Sequence, residues 1–126
     1  MKLMGAGFYT EATLEPHLKL GEPVLAMRFP AGPKEILRLP QFSVVLILCD
    51  GKPGPFTLVG RMNGPASSSQ AIKETYDWPQ EAWHFTIIRH VNIVLQFEGP
   101  GYYSLAFLID AEPLVELTLP LRFEGD

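Results

Sequence analysis

Twelve prolines are scattered through the 126 residues, at positions 16, 23, 30, 33, 40, 53, 55, 65, 79, 100, 113 and 120. Proline removes a backbone donor and clashes with the preceding helical turn, so such spacing leaves few stretches long enough for a helix. The two widest intervals, 80–99 and 101–112, carry alternation rather than a helical period. The chain is therefore expected to fold from strands and turns.

Alternation with period two is plainest near the C-terminus. Val115, Leu117, Leu119, Leu121 and Phe123 alternate with Glu116, Thr118, Pro120, Arg122 and Glu124. Successive side chains of a strand point to opposite faces, so one face is buried and the other wet. Pro120 cannot donate to a ladder and marks an edge. From residue 83 the apolar parity reads Trp83, Phe85, Ile87, Arg89, Val91, Ile93, Leu95 and Phe97. A charge on that parity predicts a bend or break near Arg89-His90. Glu98-Gly99-Pro100-Gly101 is a turn, so 91–98 and 102–110 read as a hairpin followed by 115–123. Phe42 to Cys49 is apolar on both parities, which suits a central strand with Cys49 buried and unreactive. Phe56 to Met62 is a further strand.

Other segments are less regular. Residues 70–76 are the best helix candidate, one or two turns before Trp78-Pro79. Leu14, Leu18 and Leu20 alternate with polar neighbours, and Val24 to Phe29 is the expected partner across Gly21-Glu22-Pro23. Pro30-Ala31-Gly32-Pro33 is an expected loop. The fold expected is an all-β antiparallel sandwich of about seven to nine strands with at most one short helix near 70–76. Residues 1–126 form a single domain, with 1–41 as a peripheral hairpin or arm.

Composition narrows the function classes. Lys plus Arg is 10 and Asp plus Glu is 14, a net charge of -4. That balance argues against nucleic acid, whose phosphates demand a basic footprint. A single cysteine excludes an intrachain disulfide. The most apolar run, Val44 to Cys49, is far shorter than the roughly 20 residues of a membrane helix, and the first ten residues lack a secretory apolar core. No membrane association and a cytoplasmic location are the expectation.

Catalytic signatures are sparse. His84 and His90 share a parity but stand roughly 20 Å apart along a straight strand, too far to share a metal. No serine elbow or phosphate loop occurs. No catalytic residue, metal ligand or cofactor is assigned. Exposed aromatics are the one binding signal: Trp78 in its loop, with Tyr76 and Tyr102, could stack on a ligand, whereas Trp83 falls on the core parity. Tyr102 and Tyr103 must face opposite ways.

The run Phe42-Ser43-Val44-Val45-Leu46-Ile47-Leu48-Cys49-Asp50, then Phe56-Thr57-Leu58-Val59-Gly60, resembles the opening strands of a family of small bacterial proteins of unknown function. Pro100-Gly101-Tyr102-Tyr103 and Leu117 to Phe123 are similar to that family's closing hairpin. The resemblance spans about residues 42–123, implies a β-sandwich, and carries over no functional residue. The expected function is a non-enzymatic domain working through surface interaction, with a protein partner or by self-association as a homodimer. A small-ligand or carbohydrate module using the exposed aromatics is the alternative. A hydrolase or metal-dependent enzyme around His84, His90 and Glu81 is the third.

Overall fold

The computed structural model describes residues 1–30 and 36–124, and its described residues contain no helix. The all-β expectation holds. The strands in chain order are β1 (Lys2–Tyr9), β2 (Ala12–Thr13), β3 (Lys19–Leu20), β4 (Met27–Phe29), β5 (Ile36–Arg38), β6 (Phe42–Cys49), β7 (Gly54–Asn63), β8 (Ser68–Trp78), β9 (His84–Val91), β10 (Val94–Gln96), β11 (Gly101–Ile109) and β12 (Glu112–Phe123). No helix among the described residues is long and apolar enough to cross a membrane.

Two sheets dominate. One has three strands in the order β1-β6-β9, the other five in the order β4-β12-β11-β7-β8. A single apolar cluster draws side chains from both. Phe8, Val44, Leu46, Leu48 and Ile87 come from the smaller sheet, and Leu58, Ile72, Tyr103, Leu105, Phe107, Leu119 and Leu121 from the larger. Burying such side chains contributes about 1.5–3 kcal/mol each, the dominant favourable term in folding.

The alternation of 115–123 is realised in β12, which pairs with β11 from Gly101↔Leu121 to Ile109↔Glu112. Beyond that, several expectations are corrected. Residues 70–76 are not helical: they lie in β8, paired with β7 from Gly54↔Trp78 to Asn63↔Ser68. The inward parity of β8 is Ile72, Glu74, Tyr76 and Trp78, and the single charge in it disguises a strand. That charge is answered from the facing strand, where Arg89 of β9 sits 3.1 Å from Glu74. Arg89 therefore stays within β9, and the break falls at Asn92-Ile93.

Downstream of that break the expected hairpin does not form. β10 pairs with β5, register Leu95↔Leu37, because β11 already has β12 and β7 as its two neighbours. Val24 to Phe29 does not return along residues 14–20 either. β2 and β3 pair with each other, while β4 runs parallel to the end of β12, Leu121↔Met27 to Phe123↔Phe29. Met27 and Phe29 can then enter the shared core. Residues 2–9 are no arm: β1 pairs along β6 from Lys2↔Cys49 to Tyr9↔Ser43. Most of the Pro30–Pro33 loop lies outside the described residues.

Candidate functional site

At one end of the molecule, where β7 begins and β8 ends, the chain turns twice over one buried indole. Trp78 is 2% exposed, the reverse of its expected role. Its ring stacks on Phe85 at 5.7 Å between centroids and tilts against Phe56 at 6.3 Å. Its Nε1–H donates to the Ala82 carbonyl at 3.0 Å. Buried tryptophan needs such a partner, and here the bond also pins the turn that follows. Glu81 holds that turn in the left-handed region at φ 62°. Gly51, in the neighbouring turn, lies against the same indole, and a Cβ there would overlap the ring.

The pinned turn delivers Trp83 outward. Trp83 is 88% exposed, the most exposed large apolar side chain among the described residues, and Met4 is exposed beside it at 62%. Together with Cys49, Asp50, Gly51, Ala82 and His84 they line an open cavity of about 620 Å³. Strand register builds its floor. Lys2, Cys49 and His84 are directly opposed across β1, β6 and β9, so they stand in a row on the face turned away from the shared core. Cys49 is half-buried on that face rather than sealed in the core. Lys2 Nζ lies 3.7 Å from Asp50 Oδ2 with both side chains largely in solvent, where an ion pair contributes about 0–1 kcal/mol.

A second concavity, about 750 Å³, lies at the opposite end of β7, between the β5–β10 ribbon and the β7–β8 turn. Ile36, Val94 and Gln96 form one wall, and Ser67, Ser68 and Ser69 the other. Tyr103 closes its base. The Glu98 N–H donates to the Tyr103 hydroxyl at 2.9 Å, and that hydroxyl donates to the Gly99 carbonyl at 2.8 Å. Burial pushes the Tyr103 phenol above its ordinary value, with the Glu98 charge adding to the rise and the Glu98 N–H opposing it.

Of the aromatics expected to bind a ligand, Tyr76 and Trp78 share one cluster around Phe56 and Phe85, and Tyr102 lies apart from it. Tyr76 is half-buried and stacks on Phe56 at 5.8 Å. Burial raises its phenol, Glu74 adds to that, and Arg89 opposes it. Tyr102 is exposed, but it sits near the far end of β7, with the Arg122 guanidinium 5.3 Å from its ring centroid. Tyr103, its neighbour, faces inward as alternation requires. Trp83 was concealed from pattern reasoning because β9 begins at His84, so the parity of the strand does not extend to it.

The histidines do not converge on Glu81. His84 opens β9 and His90 lies six residues along it. Among the described residues no group of three His, Cys, Asp or Glu side chains could hold a metal ion. His90 Nδ1 is 2.6 Å from Ser43 Oγ, a spacing suited to a nucleophile and its base. Ser43 is 0% exposed, however, so no substrate carbonyl can reach the oxygen.

No protein-family model matches the chain, and no curated protein matches it. Among solved structures, the alkylpurine DNA glycosylase AlkC of Pseudomonas fluorescens, bound to DNA containing an abasic site analogue, is similar over 93% of this chain at 12% identity and a TM-score of 0.38. The chain spans 30% of that protein's length. Similarity at this level carries neither fold nor function across.

Proposed function

We propose that the protein is a non-enzymatic β-domain that works by binding, with the Trp83 end as its contact surface and a second copy of the chain as the partner. The observation that supports this is the 88% exposure of Trp83 on a turn held rigid from beneath. An exposed indole next to an exposed methionine is costly in water unless something covers it. Tryptophan is enriched among the few residues that dominate interface energies, and rigid presentation lowers the entropy lost on binding. β9 is also the terminal strand of its sheet, so its outer edge offers unpaired backbone beside the indole.

Sedimentation over a concentration series tests the proposal. The expected result is mass rising toward twice the chain, with Trp83→Ala weakening association by about 30-fold or more, the size of an interface hot spot. A mass that stays at one chain throughout overturns it. A second reading, stacking of a carbohydrate ring on Trp83, is supported by the cavity and by the polar groups of Asp50 and His84 at its rim. A glycan panel read by Trp83 fluorescence separates the two.

A further inference from the structure

The cavity beside Trp83 has a chemical character that association does not require. Cys49 and His84 are direct cross-strand partners on β6 and β9. Side chains so placed have Cβ atoms about 4.5–5.5 Å apart, a gap that one ion with bonds of about 2.0–2.3 Å can bridge. Met4 is the extra residue of a bulge in β1, where the register shifts between Leu3 and Gly5. Bulges re-aim side chains, and this one brings Met4 to the cavity that Cys49 and His84 also line. Thiol, imidazole and thioether thus line one opening, each from a different strand of the three-stranded sheet.

We propose that Cys49, His84 and Met4 form a binding site for a soft monovalent cation of the Cu(I) class. Thiolate and thioether sulfur select soft ions over magnesium, calcium or manganese. Zinc favours four tetrahedral ligands, and no third His, Cys, Asp or Glu completes such a set among the described residues. The Trp83 indole beside the cavity adds a π face to which a cation is attracted. Binding replaces the Cys49 S–H bond with a sulfur–metal bond and releases that proton to solvent, with no change in oxidation state, so affinity rises with pH. The site accounts for a methionine left exposed on a bulge, which packing does not.

The test uses Ag(I), a redox-inert ion of the same class, titrated into the reduced chain at a dilution where it is monomeric. Native mass spectrometry reads stoichiometry and tryptophan emission reads occupancy. The expected result is one ion per chain, binding lost in Cys49→Ser, and affinity reduced by at least about tenfold in both His84→Gln and Met4→Leu. Equal affinity, within about twofold, for both of those variants and the parent would mean a lone thiol and overturns the proposal. So does the absence of any bound ion. Cys49→Ser leaves Trp83 and Met4 in place, so a variant that still self-associates but binds no ion separates this site from the association surface.

Discussion

The two ends of β7 use the same device to different effect. Near Gly54, a buried aromatic (Trp78) donates from its polar edge to the turn at 79–83, and Gly51 lies against its ring. Near Asn63, a buried aromatic (Tyr103) bonds the turn at 98–101 through its hydroxyl, and a Cβ on Gly64 would come within 3.1 Å of its ring. Each end therefore spends a large core side chain on fixing surface loops. The Trp78 end then exposes Trp83 and Met4, while the Tyr103 end sets the polar run Ser67, Ser68 and Ser69 opposite exposed Ile36 and Val94. Similar scaffolding under unlike rims leaves the rim as the feature on which the proposed contact surface rests.

The largest way to break this comparison is Trp78→Ala. Loss of a buried tryptophan should cost about 3–5 kcal/mol, measured by urea unfolding, and should release the turn that carries Trp83. Gly51→Ala should cost about 1–3 kcal/mol, because the added methyl overpacks the same ring. If it is neutral, the turns move independently of the indole and the parallel fails. Tyr103→Phe should cost about 1 kcal/mol, the net worth of a hydrogen-bonded hydroxyl.

Titration sharpens the contrast. Burial raises the phenols of Tyr76 and Tyr103 above 10.0, so the neutral form is the one the fold favours. Their contribution to stability is complete below the unfolded value and is lost as pH rises through the raised folded values. The unfolding midpoint should fall as pH climbs past about 10, and less steeply in Tyr103→Phe. The smallest effect belongs to Trp83→Ala, which should leave the stability of the single, unassociated chain within about 0.5 kcal/mol. With only two tryptophans in the chain, iodide quenching of the parent at a dilution where it is monomeric should reach Trp83 and spare Trp78. A single protected class of emission would refute the assignment.

How much of this was legible follows from where the signal resides. Leu117, Leu119 and Leu121 alternate with polar residues and gave their strand away, because one face meets the core and the other water. Glu74 and Arg89 each interrupt an apolar parity, and Arg89 read singly suggested a break. Read as a pair on facing strands they cancel, but that pairing joins two sheets and no local window contains it. Trp78 and Trp83 were exchanged for a similar reason. The strand boundary at His84 decides which indole faces inward, and boundaries depend on turn geometry more than on composition. The register row of Lys2, Cys49 and His84 was equally invisible, since it needs two pairings between segments far apart in the chain.

The parallel bond between β4 and β12 carries a consequence for synthesis. Residues 27–29 leave the ribosome well before their partner, since the strand they lie against is translated more than ninety residues later, at 121–123. Met27 and Phe29 must stay uncovered by that strand while some ninety further residues are made, and the larger sheet can be completed only after residue 123 has emerged.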